Sequence, residues 1–274
     1  MDVSRVNEYI ESFYSLINKE EKIENLSQNL KVGVDLGTAN IVISVLDENN
    51  KPITGMLYPA SVVRDGLVVD YIKAVEIVKK LKLRIEKMLG VNLEYSATAV
   101  PPGTIDGNAK VIANVIEAAE MEVIKIIDEP TAAAKVLGIM DGVVVDVGGG
   151  TTGISILKDG KVIHTADEPT GGVHMSLVLA GSYNISFDEA EKMKKDRRRE
   201  KEIFHVVRPV IEKMVSIVKK HIEGYSIDKI YVVGGACSFA QFENIFSNKL
   251  GIETVKPKRP LLVTPLGIAQ SCEK

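Results

Sequence analysis

Two stretches of this sequence end a β-rich run on an aspartate and then turn on glycine. They are Asp35-Leu36-Gly37-Thr38-Ala39-Asn40 and Asp146-Val147-Gly148-Gly149-Gly150-Thr151-Thr152. The pattern suits polyphosphate chemistry. Glycine lets the backbone approach a phosphate closely, and its N–H groups serve as donors. A carboxylate at a strand end supplies an oxygen partner for a magnesium ion that stays largely hydrated. One such loop is equally well a hairpin turn, but two of them face to face form a clamp that grips a polyphosphate from both sides.

The elements that must position these loops are legible from residue periodicity. Residues 31–46 read as strand, glycine-bearing turn and strand, and residues 143–157 repeat the same order. Each copy runs on into a further hairpin, at 47–53 and at 158–163, so the chain looks like a duplication of a domain-sized unit. Helix is expected at 70–89 and 108–119, with a strand at 97–100, in the first unit. In the second, helices are expected at 187–195, 204–222 and 239–250, with a strand at 230–233 that turns on Gly234-Gly235. Strands alternating with helices in two similar units predict α/β lobes with a cleft between them. Ahead of both, Val3, Val6, Ile10, Phe13 and Ile17 form one apolar stripe of a helix over 3–18. A polar linker containing Glu20, Glu21, Lys22 and Asn25 follows. The expected organisation is therefore 1–29 as helix and linker, 30–135 and 136–263 as two lobes, and 264–274 as a terminal helix returning to the first lobe.

Composition narrows the class of partner. The 274 residues carry a formal net charge of −3, and their aromatics are scattered rather than interleaved with basic residues. Nothing in that balance calls for nucleic acid or an anionic membrane. Cys237 and Cys272 are too few and too far apart for a disulfide framework or a zinc site, and His164, His174, His205 and His221 lack metal-ligand spacing. No window approaches the run of about 18 apolar residues that a membrane span needs. The expectation is a cytoplasmic protein.

The two loops resemble the first and second phosphate loops of the actin, sugar-kinase and heat-shock-chaperone ATPase superfamily. Ile126-Ile127-Asp128-Glu129-Pro130-Thr131-Ala132-Ala133-Ala134 is similar to the inter-lobe connecting helix of the chaperone ATPases. Val232-Val233-Gly234-Gly235-Ala236-Cys237-Ser238 resembles the adenosine loop, and Thr264-Pro265-Leu266-Gly267-Ile268-Ala269 the second connecting helix. Five motifs in the right order imply a duplicated ribonuclease-H-like, actin-like ATPase fold that binds ATP or ADP with magnesium.

The resemblance implies roles residue by residue. Asp35 and Asp146 would hold the hydrated magnesium. Gly37, Thr38, Ala39, Gly148, Gly149, Gly150, Thr151 and Thr152 would line the phosphates. Glu129 would orient or activate the attacking water, with Asp146 beside it in the catalytic set. A helix-start carboxylate favoured by the dipole is the plainer account of Glu129. Gly171-Gly172 matches a later glycine pair, and Gly234, Gly235 and Ser238 the far side of the base. Glu191 and Lys194 match a pair that brackets adenosine, while their i,i+3 spacing fits a surface ion pair equally well. The run from Lys192 to Lys201 reads as a solvated helix end.

Departures from the superfamily pattern matter as much. Almost nothing stands between residues 58–63 and the helix near Asp70, so the small subdomains are expected to be nearly absent. The phosphate-facing lysine of chaperone ATPases has no counterpart, which implies slow turnover. The compact pattern resembles the ethanolamine-utilisation members associated with bacterial microcompartments. A client metabolic enzyme or a microcompartment component is the implied partner, and an assembly or reactivation factor the implied function. The alternative is a nucleotide-dependent, filament-type actin without significant hydrolysis. The N-terminal helix either packs on its own lobe or docks its apolar face on a partner.

Overall fold

A computed structural model describes residues 3–24, 29–64 and 66–273. Residues 25–28 of the expected linker, Asn25 included, position 65 and the outermost residues 1, 2 and 274 lie outside the described residues.

After helix α1 (Val3–Tyr14), the chain lays down a meander of β1 (Lys31–Leu36), β2 (Asn40–Leu46) and β3 (Pro52–Pro59). A short hairpin, β4 (Val63–Arg64) and β5 (Leu67–Val68), leads to α2 (Tyr71–Leu89), β6 (Tyr95–Val100), α3 (Asp106–Ala118), β7 (Glu122–Asp128) and α4 (Glu129–Leu137). The pattern then repeats with β8 (Gly142–Val147), β9 (Thr152–Lys158) and β10 (Lys161–Glu168). Helices α5 (Gly172–Tyr183), α6 (Phe187–Lys194) and α7 (Glu200–Ile222) follow, then β11 (Lys229–Val233), α8 (Phe242–Leu250), β12 (Glu253–Val255) and α9 (Val263–Gln270).

The two sheets have the same strand order, β3-β2-β1-β6-β7 and β10-β9-β8-β11-β12. In each, the central strand pairs antiparallel on one side and parallel on the other: β1 with β2 and β6, β8 with β9 and β11. Open α/β sheets place ligands beyond the carboxyl ends of strands where the order switches. Asp35 and Asp146 each stand one residue short of the end of those central strands. β8 is buried along its whole length, which explains its unbroken Val143-Val144-Val145 run.

Each lobe has its own core. Val34, Ile43, Leu81, Ile85 and Ile116 lie in the first; Val145, Ile156, Val207, Ile211 and Phe242 in the second. A third cluster joins the lobes and includes Ile10 and Phe13 of α1, Ala133 of α4, Val144 of β8 and Leu266 of α9. At its centre α4 and α9 cross with backbones touching, since a Cβ on Gly267 would stand 1.8 Å from the carbonyl oxygen of Ala132. α9 also lies on β1, where a Cβ on Gly33 would meet the Ala269 nitrogen at 2.5 Å.

Several expectations need correction. Residues 126–128, read as the start of a connecting helix, lie in β7; the helix begins at Glu129, because Asp128 caps it by accepting from the Thr131 N–H at 2.9 Å. The apolar stripe to Ile17 is not all helix: α1 ends at Tyr14, and Ile17 bridges to Gly55. α7 starts at Glu200 and α8 at Phe242. α5 carried no expectation, since Leu177, Val178 and Leu179 follow one another and leave no stripe to read.

Candidate functional site

The cleft between the two central strands opens into a cavity of about 440 Å³. Its walls include Asp35, Gly37, Thr38 and Ala39 from the first loop, and Asp146, Gly148, Gly149, Gly150 and Thr151 from the second. The loops meet: a Cβ on Gly149 would stand 3.0 Å from the Thr38 Cβ and 3.4 Å from the Ala39 nitrogen. A side chain at position 149 would press on the first loop at that meeting point. The second loop is braced from behind by α5, whose Gly172 and Val173 N–H groups donate to the Gly148 and Gly149 carbonyls at 3.0 and 2.8 Å.

Both connecting helices begin at this cavity, α4 with Glu129 and α9 with Thr264 near its first turn. Their positive ends therefore point where anionic groups would sit. The Thr264 hydroxyl donates to Asp146 Oδ2 at 2.5 Å, fixing the carboxylate from the α9 side.

Burial, reinforced by Asp146, pushes Asp35 up to about 7. Burial also raises Asp146 to about 6, although the Thr264 hydrogen bond opposes it. Glu129 rises well above the usual carboxylate range, first through burial and then through Asp146, Asp35, Asp167 and Asp128. Asp146 is almost fully covered; Asp35 and Glu129 keep a part of their surface open to the cavity. The groups acting on all three are other acids and one threonine, so their charge is not balanced by a lysine or arginine.

Such a set fits a divalent cation. Among the described residues, no three His, Cys, Asp or Glu side chains stand together as a metal shell of their own. An ion held by Asp35 and Asp146 must therefore complete its coordination with water and ligand oxygens, which is how Mg²⁺ is ordinarily bound beside phosphates.

The other end of the cavity is basic and comes from α6 and the turn after it. Glu191 and Lys194 both line it and pair at 2.5 Å. Lys194 also donates to the Gly172 carbonyl at 2.8 Å and to Ser176 Oγ at 2.7 Å, while Ser176 donates to Glu191. Burial holds Lys194 below the usual lysine range. Burial pushes Glu191 upward, but Lys194 and Ser176 outweigh it and the net shift is downward. The two shifts pull opposite ways on the pair; the hydrogen bonds on both partners favour an ionised pair. A simple surface ion pair is excluded, since the Lys194 side chain is only 13% exposed. Gly234, Gly235 and Ser238 close the far wall.

The run after α6 divides. Lys195 and Arg197 line the cavity, and Arg197 donates to the Ser238 carbonyl at 3.0 Å. Arg198 and Arg199 are surface residues paired with Asp196 and Glu202. Two anticipated residues stand behind the wall. Thr152 is buried and donates to the Thr170 carbonyl at 2.5 Å, and Gly171 packs on the Gly149–Gly150 backbone. Thr264, Leu261 and Phe239 were not anticipated as lining residues. Thr264 stands in a recognised motif, but only the fold reveals that it reaches Asp146. Cys237 is buried with its thiol raised by burial, a packed residue as expected.

Residues 138–260 match the family model described as type IV pilus assembly protein PilM. Over 243 residues the chain is 44% identical to the ethanolamine utilization protein EutJ of Salmonella typhimurium strain LT2, covering 88% of this chain and 85% of that one. The crystal structure of EutJ from Carboxydothermus hydrogenoformans superimposes with a TM-score of 0.92 at 51% identity, covering 98% and 99% of the two chains. The chain belongs to the EutJ family. Its fold is actin-like: MreB5 of Spiroplasma citri, in a structure bound to AMPPNP, superimposes with a TM-score of 0.71 at 18% identity over 88% of this chain and 95% of that one. This EutJ-family chain thus keeps the duplicated sheets and the crossed connecting helices, with only the β4–β5 hairpin between β3 and α2. Among the described residues no helix is long and apolar enough to cross a membrane.

Proposed function

We propose that this chain binds ATP with magnesium between its lobes, and that it uses nucleotide binding and slow hydrolysis to assemble or reactivate an enzyme of an ethanolamine-utilisation system. The observation that carries this reading is the trio Asp35, Asp146 and Glu129, buried around two glycine loops that touch. Magnesium, when bound, would offset phosphate charge that the acids alone would repel. In that arrangement Asp35 and Asp146 hold the hydrated ion, and loop N–H groups from Gly37, Thr38, Gly149, Gly150 and Thr151 face the phosphates. Glu191 and Lys194 bracket the sugar and base against Gly234, Gly235 and Ser238. Glu129 stands at the mouth of α4 facing the cavity, where it would orient or activate the attacking water. Burial and its acidic neighbours raise its carboxyl, and a bound cation would favour the ionised form that a general base needs.

The ethanolamine role follows from the names of the EutJ relatives, and a client enzyme or microcompartment component is the partner they suggest. The lobes that close on the nucleotide are, in this reading, residues 30–135 and 136–263, with 264–274 tying the second back to the first.

A coupled ATPase assay, alone and with enzymes of the ethanolamine system, tests the proposal. Hydrolysis should be slow and rise with the client, and Glu129→Gln should bind ATP yet turn it over about 10²-fold more slowly, the scale of lost general-base assistance. Equal rates for Glu129→Gln and the parent chain would remove Glu129 from the chemistry.

A further inference from the structure

α1 touches both lobes, and its grip on the second ends beside the candidate nucleotide site. On the first lobe, Phe13 fills the space over Gly55, where a Cβ would meet its ring at 2.6 Å. The Tyr9 hydroxyl donates to the Asn50 carbonyl at 2.8 Å, and Asn18, just beyond α1, exchanges two hydrogen bonds with the Leu57 backbone.

On the other side, α1 holds the start of the segment that leads into α9. The Lys258 N–H donates to Asn7 Oδ1 at 2.7 Å. Arg259 donates to Glu11 at 3.3 Å and lies over the Tyr14 ring at 3.7 Å. Arg259 also holds a left-handed backbone, φ 48° and ψ 54°, which a non-glycine residue keeps only where neighbours enforce it.

The same few residues reach the cavity. The Pro260 carbonyl accepts from the Gly234 N–H at 3.0 Å, Leu261 lines the cavity against Gly235, and Thr264 holds Asp146. Gly234 itself leaves no room beside Asp146, for a Cβ there would stand 2.4 Å from Oδ1.

We infer that α1 is a strap across the hinge, docked when the lobes are closed on nucleotide and loosened when they part. The inference rests on the nucleotide reading above. A helix bonded to both lobes keeps all its contacts in only one inter-lobe arrangement, and the arrangement seen has the two phosphate loops touching. Whatever favours closure therefore favours docking of α1, and by linkage α1 docking favours nucleotide retention in equal measure. The apolar face of α1 is the part that loosening would release.

Hydrogen exchange on the full chain, with and without saturating ATP and magnesium, reads the strap directly. Residues 3–14 should exchange more slowly with the nucleotide. Arg259→Gly keeps the left-handed backbone while deleting the ring and carboxylate contacts, and Glu11→Ala deletes one of them from the other side. Both side chains are partly exposed, so the fold should survive. Each variant should weaken ATP binding, Arg259→Gly by about tenfold within the usual range of coupling between sites, and should lose the nucleotide-dependent protection of α1. Unchanged ATP affinity in both variants, or α1 exchange indifferent to nucleotide in the parent chain, would overturn the strap. A parent chain that binds no ATP would instead overturn the nucleotide reading and the linkage with it, and that result is read in the parent arm alone.

Discussion

Asp35, Asp146 and Glu129 repel one another in a place where water cannot fully solvate them, and the sign of that conflict can be measured. A carboxyl raised by burial favours the folded state while protonated, so its contribution is complete below about pH 4 and disappears as pH rises through its folded value. With Asp146 at about 6 and Asp35 at about 7, the ligand-free chain should lose stability as pH rises from about 4 to about 7. At about 1.36 kcal/mol per pH unit for each carboxyl, the loss should amount to several kcal/mol. Melting curves across that range check this, and ATP with magnesium should flatten the slope because the bound ion favours the ionised acids. A ligand-free chain that gains stability over the same range would mean the acids find partners in solution. Asp35 and Asp146 were legible because aspartate at a strand end before glycine is a local signal, and Glu129 because residues 126–134 resemble a connecting helix. Thr264 was not assigned to the site, since its contact with Asp146 spans 118 positions and depends on where α9 crosses.

The connecting helices are the elements that turn two similar lobes into one site. α4 brings Glu129 in from the first lobe, α9 brings Thr264 onto Asp146, and they can cross so closely only because residue 267 is glycine. Gly267→Ala should therefore force the helices apart. An overpacked buried contact typically costs about 1–3 kcal/mol, and a backbone atom at 1.8 Å places this one at or above the top of that range. Denaturant unfolding gives the stability, and a nucleotide titration on the folded fraction should show weaker binding as Thr264 withdraws. A Gly267→Ala chain as stable as its parent would show that the crossing tolerates expansion. At this scale the sequence was readable where hydrophobic period and capping agreed, as in α2, with Asp70 at its N-cap and Gly90 at φ 70° ending it. It was silent on α5, apolar on every side, and misleading at 126–128, where strand residues run without a break into the helix N-cap. For α1, the stripe at Ile10 and Phe13 was correct, but its seat across both lobes depends on contacts with residues 258 and 259 that no local pattern announces.

Across the whole molecule, two sheets of identical order face each other around one cavity, and the second is visible in the sequence as an echo of the first. The duplication was legible because both copies keep aspartate, glycine and threonine in order. The base-side wall was less so, because Lys195 and Arg197 sit in a charge run that reads as solvated, and although both stay exposed, only the fold brings them to the rim of the cavity. All of this converges on a single claim, that the cavity holds ATP with magnesium. The direct test is the melting temperature of the full chain with and without ATP and magnesium, for the parent, Asp35→Ala and Asp146→Ala. At about 100 times its dissociation constant the ligand should stabilise the parent by about 2.7 kcal/mol, a clear upward shift, and either substitution should remove most of it. A parent chain whose melting temperature is unmoved by ATP and magnesium would contradict the account at its centre.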